Sequence, residues 1–134
     1  MNFVLDACAM IAFLRGERGA EVVTDLLNDS AARCLAHAIN VCEVYYDFIR
    51  AADERTATSA IRDLAKAGIY TRRDLGASFW KGVGLLKGNI RRVSLADCFA
   101  IQLSKRVGGS VVTSDHHEFD PLVGRRICDV TFIR

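Results

Sequence analysis

The chain contains a single proline, Pro121, among 134 residues, and no serine-, glycine- or proline-rich tract that would mark a linker. The length suits one domain spanning residues 1–134. No internal repeat is present. Apolar runs are short and broken by charges, so neither a membrane-spanning helix nor a secretory h-region is expected. A cytoplasmic protein without membrane association follows as the expectation. The five cysteines, Cys8, Cys34, Cys42, Cys98 and Cys128, form no C-x-x-C pair, and an odd number cannot all pair internally. That argues against zinc and dithiol chemistry. Most lie in apolar runs, which suits reduced, buried thiols packing as small hydrophobes. Strong charge of one sign is also missing. Lys+Arg number 18 against 16 Asp+Glu, a net of +2, too little to announce a nucleic-acid binder by bulk charge.

What is present is a large apolar fraction, 51%, enough for a core without staples. Its spacing alternates between strand-like and helix-like stretches. Asn2 to Leu5 reads as a strand that stops at Asp6, and Ala7 to Leu14 as a helix closed near Gly16. Val22, Val23, Leu26 and Leu27 give Glu21 to Leu27 a helical stripe. Cys34 to Ala38 is a second strand, followed from Asn40 by a helix with Val41, Val44, Tyr45 and Phe48 on one face. Glu54 to Ala67 is a helix ended by Gly68, and Ile69 to Thr71 a brief strand. Asp74 is placed to cap a helix holding Leu75, Phe79, Leu85 and Leu86. Ser94 opens a helix through Lys105, stopped by Gly108 and Gly109. Ser110 to Thr113 and Ile127 to Ile133 are strands around a helical turn from Asp115. Such alternation predicts an α/β fold: three α/β/α layers around a mainly parallel sheet of four to five strands.

That order gives the acids a place. Asp6 directly follows the first strand, Asp115 comes two residues after Thr113, and Glu43 stands in the first turn after the second strand. Ligand sites of open α/β sheets lie beyond the carboxyl ends of the strands, so these acids converge on one rim. Asp97, in the first turn of its helix, joins them if that helix abuts the rim. Carboxylates gathered without counter-charge repel one another. A hard divalent cation, Mg²⁺ or Mn²⁺, removes the conflict and permits metal-assisted hydrolysis of a phosphodiester. Each acid also has a plain alternative. Asp6 and Asp115 suit helix caps, and Ser94-Leu-Ala-Asp97 suits a capping box. Neither Glu43 nor Asp97 has a basic partner at helical spacing, as a metal site expects. Asp47 adds a like charge four residues from Glu43.

At these residues the chain resembles the PIN-domain family, and within it VapC-type toxins. Phe3-Val-Leu-Asp6 looks like the family's opening strand and first acid, and Asn40-Val-Cys-Glu43 like its N-x-x-E helix start. Ser94-Leu-Ala-Asp97 corresponds to the third acid. Val112-Thr-Ser-Asp115, followed by His116-His-Glu-Phe119, looks like its T-x-D ending with a trailing acid. The resemblance spans the chain. It implies an endoribonuclease using Mg²⁺ or Mn²⁺, with Asp6, Glu43, Asp97 and Asp115 as catalytic metal ligands and Glu118 as an accessory ligand. It implies orienting roles for Asn40 and Thr113, alongside their plainer reading as a helix cap and a strand-end residue. The implied partners are RNA, a cognate antitoxin protein and a second copy of the chain. One departure stands out: where the family commonly has Ser or Thr two residues after the first acid, this chain has Cys8, a poorer hydrogen-bond partner.

Other residues are less informative. His116 and His117 form no metal-binding pattern and read as surface residues near the rim. Tyr45, Phe48, Phe79, Trp80 and Phe99 read as core or subunit packing. Arg15 and Arg92 are the candidates for contact with substrate phosphates. Two rival classes fail on residues. A phosphoacceptor receiver domain needs an acidic pair at the first strand end. A haloacid-dehalogenase phosphatase needs an acid at position 8, where Cys8 stands. The remaining alternative is a catalytically silent PIN-like module that binds RNA or protein.

Overall fold

Five short strands alternate with seven helices along the chain. The computed structural model describes residues 1–134. The elements are β1 (Asn2–Leu5), α1 (Ala7–Arg15), α2 (Ala20–Asn28), β2 (Arg33–His37), α3 (Ala38–Ala51) and α4 (Glu54–Ala67). They continue with β3 (Tyr70–Arg72), α5 (Ala77–Asn89), α6 (Leu95–Val107), β4 (Ser110–Thr113), α7 (His116–Gly124) and β5 (Asp129–Phe132). The strands form one sheet in the order β3-β2-β1-β4-β5, every neighbouring pair parallel. The sheet is thus at the upper end of the expected strand count and wholly parallel.

Successive strand residues serve opposite faces, as the pleat requires. Val4, Leu35 and Val111 join Phe79, Val83, Phe99, Ile101 and Phe119 in the core under α5, α6 and α7. Leu5, Cys34, Ala36 and Val112 join Met10, Val23, Val44 and Leu64 under α1 to α4. The central strands are buried on both sides, and their uninterrupted apolar runs follow from that. Fully buried side chains such as Phe79 and Met10 each contribute about 1.5–3 kcal/mol through burial.

Glycine is required where α2 begins. Gly19 has φ +99, and a Cβ there would lie 2.7 Å from the Ile133 carbonyl oxygen, so both conformation and space demand its absence. The expected Asp74 cap is not formed. Gly76 precedes α5 without a side-chain cap. Asp74 instead holds Arg72 at 2.8 Å and Arg106 at 3.0 Å, because two guanidinium groups, one from the neighbouring strand end and one from α6, outcompete a local N–H. All five cysteines are free; Cys34 and Cys98 are buried, but Cys8 and Cys42 are exposed, correcting the expectation for those two. No helix is long and apolar enough to cross a membrane.

The strand order explains where a site belongs. The chain moves outward from β1 to β2 and β3, then returns to β4 on the other side of β1. The connections from β1 and β4 therefore part, leaving a crevice at their carboxyl ends.

Candidate active site

Asp6 and Asp115 follow the ends of β1 and β4, the two strands that border that crevice, and the charge of Asp115 is felt at Asp6. Asp6 is 1% exposed. Its Oδ1 accepts the Ala9 N–H at 2.9 Å and caps α1, while its Oδ2 is buried without a hydrogen-bond partner. The cap therefore uses one oxygen and leaves the other for the crevice. Burial pushes the Asp6 carboxyl up to about 7; the charges of Glu43 and Asp115 add to that, against the lowering influence of the Thr113 hydroxyl and the Ala9 N–H. Asp115 is held in the same way. Its N–H donates to Thr113 Oγ1 at 3.0 Å, and its Oδ1 accepts from the Glu118 N–H at 3.0 Å, capping α7. Capping and site geometry coexist in both acids.

That cap also brings Glu118 back toward the crevice. Asp97, Asp115 and Glu118 each offer one carboxylate oxygen, and these atoms lie within 4.8 Å of one another. Asp97 reaches the group because the capping box is only half made. Ser94 Oγ accepts the Asp97 N–H at 3.1 Å, but the Ser94 N–H points to Glu118 Oε2 at 3.5 Å. The Asp97 carboxyl is thereby released. Burial pushes it up to about 9, with a hydrogen bond to Glu118 and the charges of Asp6, Glu118 and Glu43 acting in the same direction.

Glu43 lies deeper in α3 than the first-turn position expected of it, since α3 begins at Ala38 with His37 as its cap. It stands outside the close trio, although its charge is felt by both Asp6 and Asp97. Asn40 is no cap either. It is fully buried, and its Nδ2 donates to Glu43 Oε1 at 3.3 Å and to the Ala96 carbonyl at 3.1 Å. Asn40 thus joins α3 to α6 and fixes Glu43, leaving Glu43 Oε2 free of this bond. Burial raises the Glu43 carboxyl, opposed by Asn40 and assisted by the charge of Glu118.

No ion pair reaches Asp6, Glu43, Asp97, Asp115 or Glu118. Nearby guanidinium groups are engaged elsewhere. Arg15 lies 2.8 Å from Asp47 and stacks over Phe48, an ion pair whose angles miss a hydrogen bond. Arg92 contacts His117. His116 bonds Asp120 and the Arg134 carbonyl and stacks on Phe132, so it clasps the end of the chain. Phe79 and Phe99 are buried as expected, whereas Trp80 is 50% exposed.

One supporting residue escaped the sequence reading. His37 is buried, and its Nδ1 accepts the Ile39 N–H at 3.1 Å. Nε2 must then carry the proton and donate to the Asp74 carbonyl at 2.8 Å. Phe79 and Phe99 pack on the ring. Its only sequence signal was a polar residue at the end of an apolar strand.

The donor set fits a divalent cation. It consists of hard carboxylate oxygens, one of them a buried orphan, whose protonation is favoured first by burial and then by neighbouring like charges.

Comparison with known proteins agrees with this fold. The family model described as PIN domain matches residues 3–121. No curated protein matches the chain at the sequence level. Among solved structures, VapBC-1 from nontypeable Haemophilus influenzae superposes with a TM-score of 0.73 at 16% identity, covering 99% of this chain and 98% of that one. DNA-bound VapBC from Salmonella typhimurium gives 0.74 at 16% identity, covering 100% and 99%. VapC20 from Mycobacterium tuberculosis, described as a sarcin-ricin loop cleaving toxin, gives 0.69 at 11% identity, covering 89% and 94%.

Proposed function

Because the chain belongs to the PIN-domain family, we propose that it is a Mg²⁺- or Mn²⁺-dependent endoribonuclease that hydrolyses RNA phosphodiester bonds. The observation that carries this reading is the trio Asp97, Asp115 and Glu118, oxygens within 4.8 Å of one another and no protein cation to neutralise them. Asp97, Asp115, Glu118 and the free Oδ2 of Asp6 would hold the ion. When bound, a divalent cation supplies Lewis-acid stabilisation of the phosphate charge and lowers the pKa of water.

The remaining work falls to the chain itself. Asp6 and Asp115 are locked by their cap bonds, so their second oxygens stay aimed without further ordering at the moment of reaction. Thr113 holds the turn before Asp115, and Asn40 holds Glu43. Glu43, its carboxyl raised by burial, has Oε2 free of the Asn40 bond to take a proton from the attacking water. The exposed Arg92 would contact the RNA backbone; Arg15, paired with Asp47, is less free to do so.

Solved relatives described as VapBC toxin–antitoxin systems support a further reading, a toxin with a cognate antitoxin. Exposed Trp80 and Leu85 offer apolar area for a homodimer. Five free cysteines suit a reducing cytoplasm. The test is cleavage of RNA by the purified protein with Mg²⁺, Mn²⁺ or EDTA, beside Asp6→Asn and Asp97→Asn. Cutting should require the ion and fail in both variants. Cutting that persists in EDTA, or survives both substitutions, overturns the reading. Binding without cutting under every condition would instead identify a silent module.

A further inference from the structure

Along α3, Ile39, Glu43, Tyr46 and Arg50 fall at positions i, i+4, i+7 and i+11, a spacing that sets them in one stripe on the helix surface. The stripe runs through Glu43, an acid of the crevice, and Arg50 lies about 10 Å beyond it along the axis. Ile39, Tyr46 and Arg50 are exposed and Glu43 is half-buried. The Arg50 guanidinium carbon stands over the Tyr46 ring, 4.8 Å from its centroid. Arg50 has no carboxylate partner, whereas Arg15, the other guanidinium against α3, is held by Asp47.

The position of this pair gives it meaning. A guanidinium covers only one face of a ring, and Tyr46 remains 42% exposed. An exposed pair one turn apart on a helix adds little to folding. The lip beside it is apolar as well. The Asn40 bond to the Ala96 carbonyl draws the first turns of α3 and α6 together. Ile39 and Leu95, each one residue before those partners, are exposed there. The acids of the crevice repel every phosphate that the metal does not hold, so a bound strand needs a cation outside them. Arg50 supplies that cation on the helix that carries Glu43, and the ring under it supplies a surface for a base.

We propose that the Tyr46–Arg50 pair is a binding subsite for single-stranded RNA leaving the acid crevice along α3, with an unpaired base stacked on Tyr46 and a backbone phosphate on Arg50. The inference rests on the nuclease reading for the identity of the strand. A duplex keeps its base faces covered, so a stacking ring selects unpaired nucleotides, and it does so with little regard to sequence because every base has a face.

The test separates the two contacts from each other and from chemistry. A fluorescent single-stranded oligoribonucleotide, and the same strand in a duplex, are titrated into the full chain in EDTA at several salt concentrations, so that no cutting intervenes. Tyr46→Ala should weaken single-strand binding about tenfold, the loss of one stacked base, with the salt slope and duplex binding unchanged. Tyr46→Phe, which keeps the ring, should bind like the parent. Arg50→Ala should weaken single-strand binding about tenfold and lower the salt slope by about 0.7, the loss of one phosphate contact. With Mg²⁺ or Mn²⁺ both alanine variants should raise KM with kcat within about twofold, the pattern of lost uniform binding. Unchanged single-strand binding in either alanine variant, equal weakening on duplex in Tyr46→Ala, or a Tyr46→Phe variant as weak as Tyr46→Ala overturns the proposal. So does a parent that binds no single strand. If the parent cuts RNA and the variants match it, the subsite fails and the nuclease reading survives. If binding depends on Tyr46 and Arg50 as stated but no RNA is ever cut, the nuclease reading fails and the subsite stands.

Discussion

Asp74 and Asp97 are both aspartates close to the carboxyl end of the sheet, yet their surroundings are opposite. Asp74 is gripped by Arg72 and Arg106, and those bonds hold its carboxyl down at about 2. Asp97 has no cation and shares its space with Glu118, so burial and like charge push it up to about 9. The chain neutralises the first region with its own guanidinium groups and leaves the second uncompensated. A fold that manages charge so fully at Asp74, and at Asp47 with Arg15, does not neglect five acids in one crevice by accident. The lesson is that a missing internal counter-charge marks where an external one belongs.

The largest effect should come from breaking the uncompensated side. Asp97→Asn should lower cleavage by at least about 10²-fold, since even the outer partners of metal ligands are worth 10–100-fold. The same variant should gain stability without metal, because an amide needs no proton to sit among the other acids, whereas the folded Asp97 carboxyl must hold one at neutral pH. The metal-free thermal midpoint should rise by several degrees, at about 3–5 °C per kcal/mol for a domain of this size. A variant both inactive and less stable would show Asp97 to be structural.

Titration should separate the two regions by sign. Asp6 and Asp97 have folded pKa values, about 7 and about 9, above their unfolded values. The folded protein then binds more protons than the unfolded chain between about pH 4 and those values, so metal-free stability should fall as pH rises through that window. Asp74 behaves oppositely. Its contribution is present above about pH 4 and is lost as pH falls toward its folded value. Melting scans in EDTA should therefore show a maximum in the mildly acidic range, and added Mg²⁺ or Mn²⁺ should stabilise more at pH 8 than at pH 5. A flat response to the ion across that range would deny it a role in charge relief.

Breaking the compensated side should damage folding more than chemistry. Asp74→Ala removes the acceptor for two guanidinium groups that are themselves partly exposed, a loss of about 1–3 kcal/mol once solvent screening is allowed for. Cleavage per folded molecule should fall far less than in Asp97→Asn. An equal loss of activity in a folded Asp74→Ala protein would erase the distinction between the regions.

The comparison also shows what a linear chain reveals. Strand ends and alternation placed Asp6 and Asp115, because both follow from local order. Local order read Asp97 as a cap as readily as a rim acid, and the resemblance tipped the balance; its release depends on Glu118 taking the Ser94 N–H, a contact between residues far apart in sequence. Asp74 misled for the same reason, its partner Arg106 lying 32 residues away. Asn40 and His37 were hidden by helix phase. Starting α3 at Ala38 instead of near Asn40 turns a presumed cap into a buried strut and makes a histidine the cap.

Cys8 offers the smallest and sharpest probe of the uncompensated field. Burial raises its thiol first, and the charges of Asp6, Asp97, Asp115 and Glu43 raise it further, to about 12. It therefore stays protonated at neutral pH and serves neither as nucleophile nor as thiolate ligand. Since the residue is exposed, reagents reach it, and the carboxylate field is the part that mutation can move. Alkylation of Cys8 at pH 10 in EDTA, where the Asp97 carboxyl is ionised, should be slow in the parent and several-fold faster in Asp97→Asn, because removing one negative neighbour raises the thiolate fraction. Cys8→Ser should change cleavage by less than about threefold, since a thiol is already a weak donor and its replacement adds only one modest hydrogen bond. Equal alkylation rates in parent and Asp97→Asn would mean that the acids exert no shared field at this turn, and the contrast with Asp74 would lose its electrostatic basis.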